Sequence, residues 1–135
     1  MLKRFYFSTR KDRGAEAGAL LAALKARGWE RTFDWNEHRG SRTEQYADLA
    51  VAELTGVRDA DVLIVLLPGG FGTHVEIGAA LALGKPVILH APDQKTLETP
   101  YPCIFHHHPG VTLLISESID VDVLLTCMPS PAMSR

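Results

Sequence analysis

Leu63-Ile64-Val65-Leu66-Leu67-Pro68-Gly69-Gly70-Phe71-Gly72-Thr73-His74-Val75-Glu76-Ile77-Gly78 runs from an unbroken aliphatic segment through a glycine-rich turn into a helical pattern that carries one carboxylate. Residues 61–67 show no polar alternation, which marks a central parallel strand covered on both faces, since a half-exposed strand would alternate. Glycines let the backbone approach a ligand closely. The free N–H groups of a helix start, with the positive end of its dipole, attract anionic oxygens. A strand, a glycine turn and a helix in this order suit chemistry on a sugar or a phosphate. The spacing predicts a helix over residues 73–83 with Glu76 in its first turn, where the same field would keep the side chain ionised, as a nucleophilic carboxylate must be.

Working outward, residues 2–8 read as a strand and 14–27 as a helix, with Ala15, Ala19, Leu20, Ala23 and Leu24 at helical spacing and Gly28 as its stop. Residues 29–35 read as a second strand and 43–57 as a second helix, through Tyr46, Leu49, Ala50, Ala52 and Leu54. Past the decisive stretch, Gly84-Lys85-Pro86 closes the third helix, 87–90 and 111–115 read as strands, and 119–125 as a final short helix. Strands alternating with helices predict an α/β fold: a three-layer α/β/α sandwich on a doubly wound, Rossmann- or flavodoxin-like, five-stranded parallel sheet. In such sheets ligands sit beyond the carboxyl ends of the strands, and the loops at residues 8–13, 35–42 and 68–73 lie on that edge. Residues 1–127 are expected to form one domain. Residues 128–135, with Pro129 and Pro131 and no period, are expected to be a flexible tail.

A chain of 135 residues with 46% hydrophobic content suits one core, burying about two thirds of the surface its unfolded form would expose. The formal charge of −2, with the two signs interspersed, supplies no basic stripe for a nucleic-acid polymer and leaves small molecules as the expected partners. No apolar run reaches the ~18 residues of a membrane span. The first residues read as a strand and not as a signal peptide, so a cytoplasmic protein is expected. Cys103 and Cys127 are far apart and are read in neither CxxC nor Cys/His zinc spacing, which predicts reduced thiols. His106-His107-His108 invites a metal reading. Adjacent side chains diverge, however, and no carboxylate or cysteine is read at ligand spacing, so the expectation is an exposed loop with no metal and no cofactor.

Glu76 has two competing readings. Thr73-His74-Val75-Glu76 has the Thr-x-x-Glu spacing of a capping box, in which the glutamate closes back on the helix start. The glycine-rich approach gives more backbone freedom than a cap needs, and with the placement on the ligand edge of the sheet it favours a site residue.

Glu76-Ile77-Gly78-Ala79-Ala80 followed by Gly84-Lys85-Pro86-Val87, with Gly72-Thr73-His74 in front, resembles the nucleoside 2-deoxyribosyltransferase superfamily. That group holds transferases that exchange bases on deoxyribosides and hydrolases that cut the base from nucleoside 5′-monophosphates. The string from Gly72 to Gly78 is especially similar to its cytidine-monophosphate N-glycosidases. The resemblance implies that Glu76 attacks the anomeric carbon. Glu53-Leu54-Thr55-Gly56-Val57-Arg58-Asp59-Ala60-Asp61 resembles the helix end before the central strand of the transferases, and their pocket aspartate falls at Glu53. Phe5-Tyr6-Phe7-Ser8 resembles the family's first strand, which implies Tyr6, with Ser8 beside it, at the sugar site. Trp35-Asn36-Glu37-His38-Arg39 is similar to the loop that shapes the base pocket of the monophosphate glycosidases, implying Asn36 and His38 there.

One position departs from both branches. Six residues before the nucleophile the hydrolases carry a serine and the transferases an aspartate, whereas this chain has Gly70. The loop Pro68-Gly69-Gly70-Phe71-Gly72-Thr73 instead looks like that of the cytokinin-activating phosphoribohydrolases. It makes Gly69, Gly70, Gly72 and Thr73 a candidate backbone nest for phosphate, helped by Arg10, Lys11 or Arg13. The further carboxylate those enzymes place beside the glutamate is missing, since Val75 and Ile77 flank it here. The family's pockets also borrow residues from a neighbouring subunit just before the last strand, which implies a homodimer or higher oligomer and points to Tyr101 within residues 99–107.

The expected reaction is cleavage of the N-glycosidic bond of a (deoxy)ribonucleoside or its 5′-monophosphate through a covalent glycosyl-Glu76 intermediate, the sugar passing to a free nucleobase or to water. Glu53 is the expected proton donor to the departing base. The alternative from another class is a non-catalytic domain that binds a nucleotide or an ADP-ribose derivative as a sensor. A scaffold in which Glu76 is only a cap is the third reading.

Overall fold

The computed structural model describes residues 3–10, 13–38 and 40–130, and of Asn36 the backbone only. Val62–Leu66 (β3) is buried along its whole length, as its lack of alternation predicts. It lies between Lys3–Thr9 (β1) and Val87–Ala91 (β4), with Trp29–Arg31 (β2) and Val111–Ile115 (β5) at the edges, in an all-parallel sheet of order β2-β1-β3-β4-β5. The helices are Gly14–Ala26 (α1), Tyr46–Asp59 (α2), Phe71–Ala82 (α3), Gln94–Glu98 (α4) and Val121–Thr126 (α5). This is the doubly wound arrangement the alternation of elements predicts.

The period of two along β1 sorts the core into two layers. Phe5 and Phe7 pack with Leu20 and Leu24 of α1, Ile64 of β3 and Leu124 of α5. Tyr6 points the other way, into a layer with Leu63 and Val65 of β3, Val57 of α2 and Ile77 of α3. The chain steps outward from β1 to β2 and then returns to β3 on the other side of β1. The strand order therefore reverses between β1 and β3, and a crevice opens beyond Thr9 and Leu66, which pair in register.

A polar knot ties the sheet together beside this crevice. Arg13 donates to the Leu67 carbonyl and to Glu16 Oε1 (3.0 Å), and its Nη2 lies 3.1 Å from His90 Nδ1. Glu16 Oε2 accepts from the Ile119 amide at 2.9 Å, and His90 Nε2 lies 3.0 Å from Ser116 Oγ. Arg13 is 8% exposed, so its charge is spent inside the fold and it does not serve as the phosphate helper considered above. Lys11 and Arg39 lie outside the described residues.

Several elements differ from expectation. β2 stops at Arg31, short of residue 35, because Thr32 turns off the edge: its amide donates to the Phe5 carbonyl (3.0 Å) and its hydroxyl to the Gly56 carbonyl (2.8 Å). Phe33 is then free to pack against Tyr6, with ring centroids 6.3 Å apart. The stretch expected as one helix over 43–57 is a 3₁₀ turn, Thr43–Gln45, followed by α2, which runs on to Asp59. α4 was not foreseen; Asp93 caps it by accepting from the Thr96 amide at 2.8 Å. Among the described residues no helix is long and apolar enough to cross a membrane.

Candidate active site

Tyr6 and α2 come together because Gly56 has no side chain. A Cβ there would stand 2.9 Å from Phe33 Cβ and 3.0 Å from the Tyr6 ring, so only glycine lets α2 lie this close to β1. Glu53, three residues earlier on the same helix, is thereby brought within 3.5 Å of the Tyr6 hydroxyl. The hydroxyl donates a 2.6 Å hydrogen bond to Glu76 Oε2 from the other side. Residues 6, 53 and 76 thus meet at one point from three separate elements, with Glu76 only 5% exposed.

The start of α3 decides between the two readings of Glu76. The helix begins at Phe71, with Gly70 as an extended N-cap that makes no side-chain bond. The capping box expected at Thr73 and Glu76 does not form. Thr73 lies inside the first turn and its Oγ1 accepts from Ser8 Oγ at 2.9 Å, while Glu76 falls in the second turn and is bonded to Tyr6. Gly69 folds the loop back over Thr73 so tightly that a Cβ would come within 2.5 Å of Thr73 Cγ2. The first amides of α3 are thus left to the cleft in front of them.

That cleft has two lobes. One, of about 470 Å³, is walled by Ser8, Thr9, Arg10 and Trp35 on one side and by Gly70, Gly72 and Thr73 on the other. The second, of about 330 Å³, is apolar, built by Tyr46, Leu49, Leu54 and Val75. Glu53, Gly72 and Glu76 line both, so the two carboxyls sit at the junction.

The electrostatics differ from the sequence expectation. Burial first, and then the neighbouring Glu53, push the Glu76 carboxyl up to about 8, against the opposing pull of hydrogen bonds with Tyr6 and Ser8. The field of the helix start does not keep it ionised. At neutral pH the pair of carboxyls holds a proton that a lone carboxyl would have lost. Burial and the two carboxylates raise the Tyr6 phenol above its ordinary value, so it remains a donor.

The structure gathers Tyr6, Ser8, Glu53, Gly70, Gly72, Thr73 and Glu76 here, with Gly69 buttressing the loop from behind. Trp35 and Arg10 also line the cleft, and sequence reasoning did not give Trp35 a role of its own. It does not bring His38, whose ring stacks on Phe33 at 5.0 Å behind the Tyr6 layer. The Asn36 side chain lies outside the described residues. Tyr101 is 81% exposed and borders a different cavity, on the far side of Gly69 and Gly70.

The histidine triplet is not uniformly an exposed loop. His107 and His108 are exposed, but His106 is 5% exposed and lies with Nε2 2.9 Å from His74 Nε2. Burial first, then the neighbouring His74 and His107, push the His106 imidazole down to about 4. The signal in the sequence is the spacing Cys103-x-x-His106, which one turn of chain can bring to one side, whereas adjacent histidines diverge.

The family described as nucleoside 2-deoxyribosyltransferase matches residues 4–122. The CMP N-glycosidase of Clostridium botulinum is similar in structure, with 25% identity, a TM-score of 0.63, and coverage of 92% of this chain and 96% of that one. A 2-deoxyribosyltransferase of Bacillus psychrosaccharolyticus shares the fold at 18% identity and a TM-score of 0.63, covering 90% of this chain and 95% of that one. One from Leishmania mexicana does so at 22% identity and a TM-score of 0.53, covering 67% and 65%. None of the curated proteins compared matches the chain. The family and the Clostridium botulinum neighbour support a nucleoside deoxyribosyltransferase or nucleotide N-glycosidase activity. With a match that spans all five strands, the chain belongs to the nucleoside 2-deoxyribosyltransferase family.

Proposed function

We propose that the protein cleaves the N-glycosidic bond of a nucleoside or nucleoside 5′-monophosphate with retention, through a covalent bond between Glu76 and C1′ of the sugar. The observation that carries this reading is the pair of carboxyls at the junction of a polar and an apolar lobe. The apolar lobe of Tyr46, Leu49, Leu54 and Val75 suits the flat face of a base. The polar lobe, with the amides at the start of α3 and the Arg10 guanidinium, suits the sugar and a 5′-phosphate. The anomeric carbon then falls beside Glu76.

The shared proton does the acid work. It passes from Glu76 to Glu53, which donates it to the base nitrogen as the C1′–N bond breaks, and the freed Glu76 carboxylate forms the new bond to C1′. The Tyr6 hydroxyl holds Glu76 in place by its 2.6 Å bond. In the second half, water or a free base attacks C1′, Glu53 takes up the proton of the attacking group, and Glu76 leaves as carboxylate. Two inversions give net retention. A second copy of the chain, presenting Tyr101 to this cleft, completes the reading, and the exposed Tyr46 and Val75 are the apolar surface such a copy would cover.

The test is incubation of the purified protein with a panel of nucleosides and their 5′-monophosphates, with and without a second free base, followed by chromatography. Released or exchanged base supports the proposal. Saturable binding without release favours the nucleotide sensor, and no binding by any member of the panel leaves only the scaffold.

A further inference from the structure

Outside the cleft, the structure gathers a second set of chemically competent side chains that the glycosidic reaction does not use. His74 on α3, and Cys103 and His106 on the segment before β5, each offer one ligand atom, and these atoms lie within 4.8 Å of one another. We propose that His74, Cys103 and His106 form a transition-metal site of the zinc class.

The tautomer of His74 favours it. His74 Nδ1 lies 2.8 Å from the Gly70 carbonyl, which can only accept, so Nδ1 carries the hydrogen and Nε2 presents a lone pair. This is the arrangement that orients metal-binding imidazoles, whose second nitrogen donates to a carbonyl or carboxylate. The lone pair points at His106 Nε2, 2.9 Å away, which must carry the hydrogen between them. His106 Nδ1 is then a buried nitrogen with no hydrogen-bond partner among the described residues. A metal ion taking the place of that hydrogen binds both Nε2 atoms. The His106 hydrogen moves to Nδ1, and the Cys103 thiol releases its proton to solvent as Sγ coordinates.

Coordination draws the three ligand atoms, now within 4.8 Å of one another, into tetrahedral spacing. Tetrahedral zinc, with Zn–N of about 2.0–2.1 Å and Zn–S of about 2.3 Å, spaces its ligand atoms roughly 3.3–3.6 Å apart. The two imidazoles therefore open by about 0.4 Å from their 2.9 Å approach. Two imidazoles and a thiolate select zinc or another thiophilic ion over magnesium or calcium, which take oxygen ligands. Three protein ligands leave a fourth position, next to the cavity of about 640 Å³ bordered by Gly69, Phe71, His74 and Cys103. Through the His74–Gly70 hydrogen bond, the ion would fasten the segment before β5 to the glycine turn of the cleft without entering the cleft itself.

The test uses the full chain, reduced, stripped of metal by a chelator and titrated with Co²⁺ and then Zn²⁺. The expected result is one Co²⁺ per chain, with a thiolate-to-cobalt charge-transfer band and tetrahedral visible bands that Zn²⁺ abolishes. Cys103→Ser, at a half-buried position, should remove the charge-transfer band while the circular dichroism stays that of the wild type. His74→Gln should weaken binding by at least about tenfold. Cys127→Ser and the double variant His107→Gln/His108→Gln should leave binding unchanged. Absence of the charge-transfer band in the wild type, or its survival in Cys103→Ser, would overturn the proposal.

Discussion

Replacing Glu76 by Gln removes an ionisation and keeps an acceptor for the Tyr6 hydroxyl, so it isolates the electrostatic cost built into the site. The folded chain holds the Glu76 carboxyl up to about 8, mainly by burial, against an ordinary value of 4.5. The folded state therefore binds a proton that the unfolded state has already lost. Stability from this group is fully present below the ordinary carboxyl range and falls as pH rises toward the folded value. The penalty grows from about 1 kcal/mol at pH 5 to about 5 kcal/mol at pH 9. Gln cannot ionise and escapes it. Urea unfolding of wild type and Glu76→Gln at pH 5, 7 and 9 reads the difference directly, because other titrating groups largely cancel between the two chains. The variant should gain about 4 kcal/mol on the wild type between the ends of that range, on the order of 10 °C in melting temperature. Parallel curves, within about 1 kcal/mol at all three pH values, would refute the reasoning that Glu76 is buried at the expense of stability.

Three further outcomes concern activity. Glu76→Ala should abolish turnover while circular dichroism stays that of the wild type; near-normal rates would remove the nucleophile from the mechanism. Glu53→Ala should lose about 10²–10⁴-fold on substrates with a poor leaving base and much less with a nitrophenyl leaving group; equal losses on both would count against an acid role. Tyr6→Phe removes the 2.6 Å bond to the carboxylate, worth about 1.5–3 kcal/mol for a charged acceptor, so kcat should drop roughly 10- to 100-fold. That bond holds the Glu76 value down, so its loss should also move the falling limb of the pH–rate profile, where the shared proton is lost, to higher pH. An unshifted limb would show that Tyr6 does not act on Glu76.

What could be read in advance follows what is local. The strand at β3 and the glycine turn were legible because an unbroken aliphatic run and a Gly-rich break are properties of neighbours in sequence. The helix start was misplaced by two residues because Thr73 has the chemistry of a cap, whereas Gly70 holds that position with backbone alone. α4 was missed because its five residues are too few to show a helical period. At the site, the glycine turn and the helix after it point to Glu76 directly, whereas Glu53 and Tyr6 come only from the resemblance, since nothing in their spacing says that three distant positions converge. The elevated value of Glu76 was out of reach for the same reason: burial and a carboxyl neighbour are tertiary facts, and they override the helix field that the sequence suggested. The resemblance points His38 to the base pocket, and charge beside the ligand edge points Arg13 to a phosphate, but side-chain direction is a tertiary fact. One stacks on Phe33 and the other closes a buried knot.

The central claim is that the Glu76 carboxylate bonds to the sugar, and the direct measurement is mass analysis of acid-quenched, protease-digested protein after brief exposure to a substrate it turns over. The account predicts that the peptide containing Glu76 gains the mass of the glycosyl group, that the label disappears on chase with water or free base, and that Glu76→Gln never acquires it. Turnover with the label on another residue, or with inversion at C1′ and no label at all, would contradict it.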